Sequence, residues 1–142
     1  RHLYDRESGE GYYRNAFNIE RIRSDLVGGF RAGLTMLCSI DPLTQTDHSS
    51  ELVTVPANAI LIVDGVFALR PELRDLWNLG VLLDTKPETS ERRARDRDGE
   101  MLDRYRLSEQ LYIAEAEPQK VADIVIDHDD ISAPTARIWP HR

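Results

Sequence analysis

The spacing of apolar positions changes several times along this chain, and each change predicts a different element. In the middle, Ile60-Leu61-Ile62-Val63 run together without polar interruption. Such a run suits a short strand buried on both faces of a parallel sheet. It delivers Asp64 and Gly65 to the strand's carboxyl end, the edge where parallel sheets place their chemistry. Downstream, helical periods alternate with short apolar runs: helix over 71–77, strand over 80–83, helices over 87–97 and 102–117, and strand over 123–126. Strands separated by helices imply parallel pairing through right-handed crossovers, hence an α/β fold with helices flanking the sheet. The punctuation agrees. Pro71 suits a first helical turn, Thr85 with Glu88 reads as a capping box, and Pro118 ends the long helix.

The first third is less regular. Residues up to Gly11 are polar and read as loop, after which Asn18 caps a helix whose Ile19, Ile22, Leu26 and Val27 share a face and which Gly28-Gly29 stop. Two extended stretches, over 35–40 and 52–55, enclose the polar loop 41–50 and predict a small hairpin or lid. The tail after Asp127, with Pro134 and Pro140, reads as loop.

Composition narrows the function classes. The 142 residues suffice for one domain with a core, and a formal charge of −7, with lysines only at Lys86 and Lys120, excludes a nucleic-acid or anionic-membrane surface. Small anionic ligands stay open. The one cysteine, Cys38, lies in an apolar stretch and is expected to be buried and inert, in keeping with a reducing, cytoplasmic setting. No apolar run approaches the ~20 residues of a membrane span, and the start has no signal-peptide shape. It also lacks an initiator Met, so the chain is expected to be an internal piece of a longer protein.

Several residues carry candidate chemistry. Asp64 is either the first residue of an Asp-Gly turn or a carboxylate that holds Mg²⁺ against a phosphate chain. Arg92 and Arg95, one helical turn apart, are either phosphate ligands or one half of a self-paired face, since Glu88 and Glu91 stand four residues before them. Arg93 is expected to face solvent. Asp96-Arg97-Asp98-Gly99-Glu100 lacks the ligands of a calcium loop and reads as a polar turn, and His128-Asp129-Asp130 reads as surface tail. Neither a Gly-x-Ser-x-Gly elbow nor a Gly-x-Gly-x-x-Gly fingerprint is present.

Taken in order, four segments resemble the uridine kinase-like branch of the P-loop kinases, the group that includes phosphoribulokinase and bacterial pantothenate kinase. They are Ala59-Ile60-Leu61-Ile62-Val63-Asp64-Gly65-Val66-Phe67; Leu73-Arg74-Asp75-Leu76-Trp77 with Val81-Leu82-Leu83-Asp84; Arg92-Arg93-Ala94-Arg95-Asp96; and Arg104-Tyr105-Arg106 through Tyr112 and Pro118 to Asp127. The resemblance implies a three-layer P-loop NTPase fold, of which residues 1–142 form the C-terminal portion of one domain, with 35–55 an acceptor lid and 87–106 a phosphate lid. It implies transfer of the γ-phosphoryl group of ATP to a hydroxyl of a nucleoside-like small molecule, the 5′-hydroxyl of uridine or cytidine foremost, with Mg²⁺ as cofactor. Asp64 would hold the metal directly or through water, Arg92 and Arg95 would clamp the phosphates, and Tyr12, Tyr13, Asp41 and His48 would shape the acceptor site. Packing against the following helix is the competing role for the two tyrosines, and plain exposure in a loop is that for His48.

This sequence departs from the family at several points, among them Tyr12, which falls where relatives place an acid near the ribose. An Asp stands where many relatives have Glu, and an Ile precedes Asp41 where the family has an aromatic. The Gly-x-x-x-x-Gly-Lys-Ser/Thr loop that cradles phosphates is not in these residues. It and the catalytic Asp are therefore expected upstream of Arg1, and the piece alone is expected to be inactive. Two alternatives stand beside this reading: a non-catalytic kinase-fold module for interaction or nucleotide sensing, and a kinase for another alcohol such as pantothenate or a sugar phosphate.

Overall fold

The computed structural model describes residues 7–41, 44–99 and 103–138. Residues 1–6, Glu100, Leu102 and Pro140, which the sequence assigned to loop, polar turn, helix start and tail, lie outside them. The fold is mixed α/β, with helices and a small mixed sheet, and it divides into two compact units: residues 1–16 with 67–142, and residues 17–66. Among the described residues no helix is long and apolar enough to cross a membrane.

In the first unit, α1 (Gly9–Asn15) begins where the Ser8 hydroxyl accepts the Gly11 N–H at 2.9 Å, and it packs along α5 (Asp103–Ala116). The sequence assigned 9–11 to loop. The glycines that suggested this serve contact instead, because a Cβ at Gly9 would collide with the side chain of Leu107. Strand β3 (Val81–Asp84) pairs in parallel with β4 (Ile124–Asp127), as expected, Val81 opposite Ile124 and Asp84 opposite Asp127. Helix α4 (Pro87–Asp98) follows β3 and ends at Gly99 with φ 81°; α5 ends at Glu117, itself at φ 45°, and the short α6 (Pro118–Val121) leads into β4.

The tail departs from expectation: β5 (Thr135–Ile138) pairs antiparallel with β4. Its alternation of small, polar and apolar residues is that of an edge strand rather than a core strand, so no apolar run marked it. The region read as a helix over 71–77 is a series of turns with one 3₁₀ turn at Arg74–Leu76. Leu82 and Val125 turn one sheet face toward Leu69, Ala122, Trp77 and Tyr112. A second cluster is aromatic: the buried rings of Tyr13 and Phe67 meet edge to face with centroids 5.1 Å apart, and Tyr12, Tyr105 and Tyr112 surround them. Edge-to-face rings gain electrostatically beyond their burial.

In the second unit the Asn18 carboxamide caps α2 (Ile19–Arg21) by accepting the Arg21 N–H at 3.1 Å, as its sequence position predicts. The helical path does not stop at Gly28-Gly29. It widens into a π-helical stretch over Ile22–Gly28, continues as α3 (Gly29–Ala32), and ends at Gly33, where φ is 90°. Gly29 is required for a different reason: a Cβ there would lie 2.6 Å from the Leu34 carbonyl as the chain turns back into β1 (Leu34–Thr35). Strand β1 pairs antiparallel with β2 (Val53–Thr54), so the predicted hairpin exists but is two residues deep. The buried Thr35 hydroxyl fastens it to the helix, donating to the Leu26 carbonyl at 2.7 Å.

The predicted strand at Ile60-Leu61-Ile62-Val63 does not form. The segment pairs with no strand among the described residues, and Ile60 and Ile62 are each 86% exposed. An aliphatic run becomes a buried strand only when neighbours supply ladder partners on both sides, and none of the five described strands pairs with it.

Candidate functional site

The carboxyl ends of β3 and β4 carry a connected set of polar side chains. Asp84 and Asp127 stand opposite each other in register, Gln119 Nε2 donates to both Asp84 oxygens at 3.1 Å, and Arg137 approaches Asp84 at 3.8 Å. Beyond the strands, the Asp129 carboxylate accepts the backbone N–H of Lys86 at 2.8 Å and its ammonium at 2.7 Å. The Lys86 ammonium in turn holds the Asp129 carboxyl below its ordinary range, and the carboxylate raises Lys86. Lys86 is the residue that opens α4, so Asp129 replaces the predicted Thr85–Glu88 capping box with a cap from a neighbouring loop. That loop is fixed in turn by Asp127, whose Oδ1 accepts the Asp129 N–H at 3.1 Å.

Helix α4 presents its arginines unequally. Arg92 and Arg95 are exposed, and Arg95 pairs with Glu91 at 3.5 Å, the self-paired arrangement that its spacing allowed. Arg93, expected in solvent, is half-buried. Its Nη2 donates to the carbonyls of His128 at 2.9 Å and Asp129 at 3.0 Å, and its Nη1 lies 3.5 Å from His128 Nδ1. His128-Asp129-Asp130 is therefore the docking loop for α4 rather than surface tail. Glu109 on α5 is pushed up by burial, with the Glu91 carboxylate of α4 adding to the effect.

The two tyrosines belong to the first unit and pack against Phe67 and the tyrosines of α5 rather than against the helix that follows them in sequence. Tyr13 is buried, the Arg70 guanidinium stacks 4.8 Å from its ring centroid, and Arg70 Nη1 donates to the Tyr13 carbonyl at 2.9 Å. Burial raises the Tyr13 hydroxyl, the nearby Arg70 charge opposing it. Tyr12 is less covered and lies between Phe67 and Tyr105.

Asp41, His48 and Asp64 belong to the second unit. The first two are brought into one compact loop: Asp41 N–H donates to Thr46 O at 2.9 Å, its Oδ1 accepts the Thr44 N–H at 2.8 Å, and His48 N–H donates to Ser39 O at 2.9 Å. His48 is not a free loop histidine. Its Nδ1 lies 2.8 Å from Glu51 Oε1, and that hydrogen bond raises its pKa above the ordinary 6.5, with Asp41 and Asp47 adding to the shift. Asp64 is exposed, and among the described residues no group of three or more His, Cys, Asp or Glu is arranged to hold a metal ion. Cys38, expected to be buried, is exposed as well.

Sequence reasoning missed Arg93, Lys86 and Asp129 as a connected set. The signal was present in that an Asp just past a parallel strand is placed to meet the start of the helix that leaves its neighbour. Comparison with protein-family models, with curated proteins and with solved structures finds no match to this chain.

Proposed function

We propose that the protein carrying this chain is an ATP-dependent phosphotransferase of the uridine kinase-like group, acting on the hydroxyl of a nucleoside-like acceptor. In this reading the fold is that of a P-loop NTPase, and the chain contributes its C-terminal part. The observation that carries the reading is the parallel β3–β4 pair with a helix leaving the carboxyl end of β3 and bearing two exposed arginines, Arg92 and Arg95. Phosphoryl transfer is catalysed mainly by positioning and by neutralising the phosphoryl oxygens, which is work for guanidinium groups on a surface helix. Asp64 would hold Mg²⁺. A single exposed carboxylate fits that use, because Mg²⁺ keeps several waters and takes its remaining ligands from the phosphates. Bound MgATP supplies the electrophilic phosphorus and a cation that neutralises its oxygens. The reading requires a phosphate-cradling loop and a catalytic carboxylate that these 142 residues do not contain.

A second reading, a non-catalytic module of the same fold, is favoured by the exposure of Ile60 and Ile62, a surface suited to a protein partner. One experiment separates the two: the intact protein is assayed for ADP release with ATP and Mg²⁺ against uridine, cytidine, pantothenate and sugar phosphates. The expected result is release dependent on a nucleoside, falling at least about tenfold in Asp64→Asn, the scale of a lost outer-shell metal partner. Release dependent on a different alcohol moves the acceptor assignment, and release with none of them overturns phosphotransfer.

A further inference from the structure

We infer that Arg93 is a positioning residue, the anchor that holds α4 on the loop after β4 so that Arg92 and Arg95 are carried on a fixed helix. The inference rests on the phosphotransfer reading for its catalytic consequence, but its geometry stands without it. The guanidinium bonds two consecutive main-chain carbonyls, His128 O and Asp129 O, with one nitrogen. Main-chain carbonyls do not titrate or change rotamer, so they make a fixed docking point, and a delocalised, permanently charged fork suits them. The anchor has a second point of support about two turns earlier. There Asp129 receives both the backbone N–H and the ammonium of Lys86, so the same loop grips the helix start and its middle. The arginines on either side of Arg93 in the sequence project elsewhere: Arg92 is exposed, and Arg95 reaches no farther than Glu91 on its own helix. Of the three arginines in Arg92-Arg93-Ala94-Arg95, then, one fixes the helix and two are left to meet a ligand.

The test uses the intact protein with Arg93→Gln and Arg93→Lys. Amide hydrogen exchange over 87–98 is expected to quicken about tenfold in Arg93→Gln, the scale of one or two lost charge-assisted hydrogen bonds, while exchange over 124–127 holds. In the same variant kcat with ATP falls by on the order of tenfold with little change in KM, since a loosened helix still binds but is misplaced in the transition state. Arg93→Lys recovers part of both. Unchanged exchange in an active Arg93→Gln protein overturns the anchor, and quickened exchange with unchanged kcat overturns the positioning role. If Arg93→Gln does not fold, wild-type exchange and kcat in Arg93→Lys overturn the need for a guanidinium. A wild-type protein without turnover on any acceptor overturns the catalytic role together with the phosphotransfer reading, and the exchange measurement still decides the anchor.

Discussion

The two units of this chain contain comparable apolar sequence and bury it to different extents. In the unit formed by 1–16 and 67–142, aromatic and aliphatic side chains converge: Tyr13, Phe67, Leu69, Leu73, Leu76 and Val125 are all buried. Among the described residues of 17–66 the buried side chains are Val27 and Thr35, while Leu37, Leu52, Ile60 and Ile62 stand more than half exposed. The difference is not in hydrophobicity but in partners. The first unit has a sheet of three strands and a helix pair, α1 packed along α5, whereas in the second the helical path over 19–32 meets a hairpin two residues deep. Burial follows from opposing surfaces, and a stretch of aliphatic residues without one stays in water.

The comparison breaks most visibly at Phe67. This residue holds φ at 63°, costly for a bulky side chain, and its ring contacts Tyr12, Tyr13 and Tyr112. Packing therefore outweighs backbone strain at this position. Phe67→Ala keeps the unfavourable dihedral and removes the ring, so we expect a loss of about 3–5 kcal/mol in urea denaturation followed by near-ultraviolet circular dichroism. A loss below about 1 kcal/mol would remove the aromatic cluster as the source of the first unit's stability.

The second unit should respond to a polar change more than to an apolar one. Thr35→Val preserves shape but leaves the Leu26 carbonyl without the hydroxyl that now donates to it at 2.7 Å. We expect a loss of about 1–2 kcal/mol, read as faster amide exchange over 22–35 with no change over 103–116. A stabilised variant would mean that β1 docks through its apolar contacts alone.

The sequence was informative where a signal was local. The Asn18 cap, α4, α5, the parallel pairing of β3 with β4 and the place of the hairpin all follow from residues within a few positions of the element itself. It was uninformative where the outcome depends on what lies across the fold. The aliphatic run at 60–63 has the composition of a buried strand but no ladder partner, and Arg93 has the spacing of a surface arginine but two carbonyls within reach. Gly29 was read as a stop because glycine usually interrupts helices, although it is there to let Leu34 approach. Of the candidate site residues, Tyr13 proved a core ring, and His48 gained a carboxylate partner that its position alone did not announce.

His48 offers the finest test, because its effect is small and its sign is fixed. The Glu51 hydrogen bond raises the folded-state pKa above 6.5, and the Asp41 and Asp47 carboxylates act in the same direction. A pKa raised on folding means that the protonated ring is favoured in the folded loop. Its stabilising contribution is full below the unfolded-state value and is lost as the pH rises through the folded value. Once the intrinsic rise of amide exchange with pH is divided out, the loop 44–51 should accordingly lose protection above that midpoint, while α5, whose tyrosines pack in a cluster without histidine, should show no change over the same interval. Titration of the His48 ring by nuclear magnetic resonance is expected to give a midpoint above 6.5, and Glu51→Gln should return it toward that value. A wild-type midpoint at or below 6.5 would mean that the imidazole and the Glu51 carboxylate do not pair in solution, and the polar order of the second unit would then rest on the Thr35 hydroxyl and the Asp41 turn alone.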